Sequence, residues 1–133
     1  MNRVYLVFLF LIGFALISNA QADMSFKEVS HDFGKVPASK DTLWHTFTFT
    51  NTGNEPLQIQ DVKTSCDCTL AEWPKGPIQP GKSAVVRGGF KLANKSGSFE
   101  KSVIIISNTS PATTILSIKG VIEDAPVDSS SPQ

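Results

Sequence analysis

An excess of charge of either sign is missing: 12 Lys+Arg face 12 Asp+Glu in 133 residues, a formal net charge of +0. Affinity for nucleic acid comes largely from clustered Lys and Arg neutralising phosphates, so a nucleic-acid partner is excluded. The chain is too short for a kinase or a barrel enzyme and long enough for one ordinary domain. Cysteine is nearly absent, at two residues, and the Cys…Trp…Cys spacing of antibody domains does not occur, so no disulfide pins two sheets together and the core rests on apolar packing. Helix-length 3.6 periodicity is also missing, which excludes a helical bundle. The long uncharged apolar run is confined to residues 4–17, short of the roughly 20 residues a spanning helix needs.

What is present at that end is a secretory pattern. Arg3 precedes the apolar run, and two small-x-small sites follow it, Ser18-Asn19-Ala20 and Ala20-Gln21-Ala22. The expectation is a signal peptide over residues 1–22, with cleavage before Asp23 preferred to cleavage before Gln21. Neither site is followed by the Cys that a bacterial lipoprotein acylates. The expected mature chain is soluble, not membrane-embedded, and periplasmic or extracellular.

From Ser25 the apolar residues alternate with a period of two, broken at short intervals by Gly, Pro and Asn. In residues 43–50, Leu43, His45, Phe47 and Phe49 share one face and Trp44, Thr46, Thr48 and Thr50 the other. The segment Asn51-Thr52-Gly53-Asn54-Glu55-Pro56 reads as a turn, with Gly53 free to take positive φ, joining this strand to an antiparallel partner that begins at Leu57 and Ile59. Three prolines in residues 74–80 forbid a central strand there. Gly88-Gly89 within the next strand suggests a bulge or a close backbone approach. The β-branched run of Phe99, Val103, Ile104, Ile105 and Ile106 predicts a central strand covered on both sides. A last strand over residues 113–122 puts Leu116 and Ile118 on one face and Ile115 and Val121 on the other. Strands of this number and spacing predict an all-β immunoglobulin-like antiparallel sandwich of about seven strands over residues 23–122. Residues 123–133 read as a disordered tail.

Several segments resemble a known family as a set. His31-Asp32-Phe33-Gly34-Lys35-Val36, Phe47-Thr48-Phe49-Thr50-Asn51-Thr52-Gly53, Pro56-Leu57-Gln58-Ile59, Ser65-Cys66-Asp67-Cys68-Thr69 and Ile78-Gln79-Pro80-Gly81-Lys82-Ser83 are similar, in order and spacing, to the bacterial domain of unknown function 1573. The Cys pair followed by the Pro-Gly-Lys turn is the most specific part. In that family the residue between the cysteines is often Gly, and here it is Asp67. The resemblance implies an exported Ig-like sandwich, and it implies no activity.

Few residues offer chemistry. Ser30-His31-Asp32 contains the residue types of a hydrolase triad, but neighbours on a strand point to opposite faces while a triad needs facing side chains. Asp32-Phe33-Gly34 copies a kinase signature without the fold to use it, so Phe33 is read as a core anchor and Gly34 as the strand's end. Trp44 and Trp73 mark a candidate binding surface, since aromatics dominate interface hot spots, against the plainer reading that both complete the core. Lys75, Lys82, Arg87, Lys91, Lys95 and Lys101 are read as solvated surface. Cys66 and Cys68 leave three readings open: a disulfide, a soft-metal pair for copper(I), or small apolar side chains. If the segment were extended, their Cα atoms would stand about 6.6 Å apart, too far for an unstrained bridge, so closure requires a turn at Asp67. Zinc would need two further ligands, and His31 and His45 are instead read as structural, with His45 buried and neutral. No metal is assigned. The reading is a non-catalytic binding or structural module with a protein partner or cell-envelope component, the alternative being a periplasmic redox or copper-handling protein using Cys66 and Cys68. A third possibility is an accessory domain whose exposed strand edge pairs with a partner chain.

Overall fold

Alternation of Phe and Thr builds the central strand of the first sheet in the computed structural model, which describes residues 19–124. The apolar run of the expected signal peptide and nearly all of the expected tail lie outside the described residues. The strand is β3 (Thr42–Asn51), and every second side chain, Phe47 and Phe49, is fully buried. It lies between β1 (Met24–Phe26) and β6 (Ser83–Lys91), and β5 (Thr69–Glu72) closes the far side in the order β1-β3-β6-β5. The second sheet has the order β2-β8-β7-β4, from β2 (Ser30–Pro37), β4 (Ile59–Thr64), β7 (Gly97–Ser107) and β8 (Thr113–Glu123). Among the described residues there is no helix.

The two sheets enclose one core. Phe47, Phe49, Val86 and Phe90 from the first meet Ile59, Val103, Ile105, Leu116 and Ile118 from the second. Removing such side chains from water supplies about 1.5–3 kcal/mol each. Leu116 and Ile118 are fully buried while Ile115 and Val121 are exposed, as alternation predicts. The β7 strand is indeed interior to its sheet. Its second face is only partly buried at Ile104 and Ile106, over which no strand of the described residues forms a further layer.

The expected all-β sandwich is what forms, with eight strands among the described residues against the seven or so expected, the short β1 being one that alternation could not signal. Two details of its pairing are corrected. The arrangement is not wholly antiparallel, because β2 pairs in parallel with β8. The chain runs on past β3 as it leaves β1, with Phe26 opposite Phe49 and Lys27 N–H donating to Thr48 O, and so reaches the other sheet alongside β8 without reversing. Nor do β3 and β4 form a hairpin, since β3 pairs with β1 and β6 while β4 pairs with β7.

The physical reason for the lost hairpin lies in the connection. Pro56 has no N–H for a ladder, and Leu57 exchanges both backbone hydrogen bonds with Ile78 at 2.8 Å, which leads the chain across the end of the core. Asn51 locks that crossing. Its fully buried amide donates to Glu55 O at 2.7 Å and Ile78 O at 2.9 Å, and its Oδ1 accepts from Gly53 N–H at 3.0 Å and Asp23 N–H at 3.3 Å.

Two glycines also differ from their sequence reading. Gly34 does not end β2 but sits in its register shift at φ 68°, its N–H held by Asp32 Oδ1 at 2.8 Å, and the strand resumes to bury Val36. Gly53 has no left-handed φ; a Cβ there would stand 2.1 Å from the backbone oxygen of Gln21, so close approach is what requires glycine.

Candidate functional site: an aromatic face and a cysteine turn

The outward residues of β3, β6 and β5 fall into register rows. Trp44 is opposite Gly89, which is opposite Leu70; Thr46 is opposite Arg87, which is opposite Glu72; Thr48 is opposite Val85. Gly88-Gly89 introduces no bulge. Instead Gly89 leaves room for the indole of Trp44, whose ring carbons lie within 3.0 Å of where its Cβ would be. Trp44 is therefore half-buried on the outer face, where it covers a neighbouring strand rather than entering the core.

Arg87 links the two tryptophans' neighbourhoods. Its guanidinium carbon is 4.6 Å from the centre of the Trp44 ring, and its Nη1 donates to Glu72 Oε2 at 2.7 Å. Glu72 precedes Trp73, and Glu72, Trp73, Pro74, Ala84, Val85 and Arg87 line an open groove of about 400 Å³. Trp73 packs one side against the core, and Lys75 Nζ sits 3.2 Å from its ring centre. Val85, at 42% exposure, forms an apolar patch within this groove. The exposed Arg87–Glu72 ion pair adds little stability, about 0–1 kcal/mol, but it fixes the guanidinium beside the indole.

The structure places Trp44 on the outer face of the sheet and Trp73 against the edge of the core, with Arg87 near both. Sequence reasoning missed the connector. The sequence reads Arg87 as solvated surface alongside the lysines, although its opposition to Thr46 on the Trp44 face follows from the same alternation once the strands are paired.

The second feature is the turn from β4 to β5, where the chain passes from one sheet to the other. Thr69 N–H donates to Cys66 O at 3.1 Å, a four-residue turn with Asp67 and Cys68 at its centre. The turn draws the Cys66 and Cys68 Cα atoms to 5.3 Å, and the two are joined as a disulfide. Of the three readings, the structure carries the disulfide. Ser65 N–H donates to Ser102 O at 3.1 Å and Lys91 N–H to Cys68 O at 2.8 Å, so the bridged turn is tied to β7 and β6 alike. Both sulfurs belong to half-buried residues, with Cys68 against the core and Cys66 Sγ 3.3 Å from the Thr69 hydroxyl. Binding of copper(I) by this pair would require its reduced form.

His31 and His45 occupy a third place, at the margin between the sheets. His45 is not buried as expected: its side chain is 20% exposed and its Nε2 meets Glu28 Oε1 at 2.5 Å. His31 stacks on it, with ring centroids 3.6 Å apart.

Residues 24–122, which hold the sandwich and the Cys66-Asp67-Cys68 turn, match a family described as protein of unknown function (DUF1573). The chain belongs to this family. As a DUF1573 protein it shares its fold with a crystal structure of a protein of unknown function from Porphyromonas gingivalis W83, at 22% identity and TM-score 0.67, over 81% of this chain and 50% of that one. It is similar to the ASH / PapD-like domain 7 of human CEP192, at 10% identity and TM-score 0.64, over 84% of this chain and 92% of that domain. The secreted serine protease VesC from Vibrio cholerae contains a comparable region, at 17% identity and TM-score 0.54, over 78% of this chain and 23% of that one. The DUF1573 chain therefore spans half of the Porphyromonas protein and under a quarter of the protease. These likenesses establish an Ig-like, PapD-like sandwich. No curated protein matches the chain by sequence. Among the described residues no helix is long and apolar enough to cross a membrane.

Proposed function

We propose that this DUF1573 protein is an exported, non-catalytic binding module that holds a protein partner or cell-envelope component against the outer face of the β3-β6-β5 sheet. One observation carries the reading: Trp44 and the Trp73 groove are joined through Arg87, so two half-exposed indoles, a guanidinium and the apolar patch at Val85 form a continuous surface. Aromatic residues and Arg are enriched in interface centres because they bury large area and still hydrogen-bond. Trp44 and Arg87 are also held in place before binding, which lowers the entropy cost of ordering them.

The export half of the proposal rests on Arg3, the apolar run and the small-residue sites at the start of the chain. A photo-crosslinking residue at Val85 tests the binding half in the native host, with the same residue at Ile115, exposed on the other sheet, as control. The expected result is an adduct of one mass from Val85 only, lost in the Trp44→Ala/Arg87→Ala variant. Equal labelling from both positions, or no adduct, overturns the proposed face. Fractionation of the same cells tests export, and a chain retained in the cytoplasm overturns that part.

A further inference from the structure

Both histidines of the chain meet at one point. His31 comes from β2 of the second sheet and His45 from β3 of the first, and their rings lie 3.6 Å apart within 6° of parallel. Glu28, in the three-residue crossover between β1 and β2, brings Oε1 to His45 Nε2. One donor atom from each of the three lies within 4.8 Å of the other two. The inner side of the cluster is aromatic, with Phe33 edge-on to His31 and Phe47 edge-on to His45, both at 4.7 Å between centroids. The outer side is open, since the Glu28 side chain is 46% exposed.

We propose that Glu28, His31 and His45 form a three-donor site for one divalent transition ion of the zinc class, with a fourth position open to solvent. Two imidazoles and a carboxylate are the nitrogen and oxygen donors that such ions take, and an apolar wall behind them limits competing water. Tetrahedral bonds of about 2.0–2.1 Å place donors roughly 3.3 Å apart. The His45–Glu28 separation of 2.5 Å lies inside that value, so loading the site requires the donors to move apart there.

Parallel rings also direct their lone pairs side by side, and His31 must turn out of the stack to converge on the ion. The arrangement permits both changes. His31 is on an edge strand beside the register shift at Gly34, and Glu28 is outside any strand, while His45 is held against Phe47 as the fixed donor. A bound ion would tie the β1–β2 crossover and both sheets together, so it would raise thermal stability as well.

The test titrates Zn²⁺ into untagged protein with the Cys66–Cys68 disulfide intact, by calorimetry and by NMR of the imidazole ring signals. Because the chain has only two histidines, those signals need no further separation. The expected result is one Zn²⁺ per chain, movement of both sets of ring signals and a higher melting temperature. Affinity falls at least tenfold in His31→Ala and in Glu28→Gln, the latter being an exposed change that leaves the fold intact. Absence of binding, binding unchanged in both variants, or binding lost only in Cys66→Ser/Cys68→Ser overturns the proposal.

Discussion

The indole of Trp44 occupies the space that a side chain at Gly89 would need: a Cβ at position 89 would stand 2.7 Å from Trp44 Cε3 and 2.8 Å from Cζ3. The outward tryptophan and the glycine opposite it are one feature, in which the sheet gives up a side chain so that the ring can lie across it. Gly89→Ala is therefore expected to displace Trp44 and cost about 1–3 kcal/mol, the range for forcing extra volume into a packed site. In Trp44→Ala the same glycine substitution should cost nearly nothing. A double-mutant cycle by urea unfolding measures the difference, and equal costs in both backgrounds would show that Gly89 serves the backbone and not the ring.

Asn51 is expected to be the most sensitive polar residue. Its amide serves two backbone acceptors and two backbone donors in the crossing from β3 to β4, and the residue is fully buried. Asn51→Ala leaves those groups short of partners, at about 1–3 kcal/mol for each one left unsatisfied. Asn51→Asp retains the acceptor but turns a carboxylate toward the Glu55 and Ile78 carbonyls, and it should be at least as damaging. Chemical unfolding of both variants checks this; an Asp variant as stable as wild type would mean that the Asn51 donors are dispensable.

These residues also mark where the sequence was legible. Phe47, Phe49, Leu116 and Ile118 could be assigned to the core because strand alternation is local and each segment carries its own record of which face is wet. The β3–β4 connection could not be read, since Asn51 and Gly53 have the composition of a turn and their partners, Ile78 and Gln21, are remote in sequence. The parallel pairing of β2 with β8 joins residues such as Ser30 and Ser117, 87 positions apart, and has no local signal. At the candidate sites the rare residue types stood out, namely two Cys, two Trp and two His. Their charged partners Arg87, Glu72 and Glu28 did not, because a surface charge acquires its role only from the neighbour that pairing supplies.

The Cys66–Cys68 bridge should contribute little to stability. It closes a loop with one residue between the cysteines, so it removes little freedom from the unfolded chain, and its contribution on that basis is below about 2 kcal/mol. Two core strands already hold the turn through the Ser65–Ser102 and Lys91–Cys68 hydrogen bonds. Thermal melts with and without reductant should differ by only a few degrees, and intact mass after alkylation should change only when reductant is present. Alkylation of the unreduced protein would show open thiols and restore the copper(I) reading.

Gln21 and Ala22, ahead of β1, supply the last prediction. Ala22 is buried at 3% exposure and bridges Thr109, and Gln21 exchanges hydrogen bonds with Asn54, its N–H donating to Asn54 Oδ1 at 2.7 Å and its carbonyl accepting from Asn54 N–H at 3.0 Å. Gly53 packs directly beneath that carbonyl, so the turn after β3 is shaped around residues 21 and 22. Cleavage before Asp23 would remove both, uncovering core and breaking the two Gln21–Asn54 hydrogen bonds. Cleavage before Gln21 keeps them and still satisfies the small-x-small rule through Ser18 and Ala20. A chain beginning at Gln21 is therefore expected to be more stable than one beginning at Asp23 by about 1–2 kcal/mol, from the buried methyl and the hydrogen bonds together. Unfolding of the two recombinant forms measures that difference, and the mass of protein collected from an exporting host identifies the cut. Equal stability of the two forms would show that residues 21 and 22 are packed without consequence, and a mature mass beginning at Asp23 would place the cut after Ala22 despite its burial.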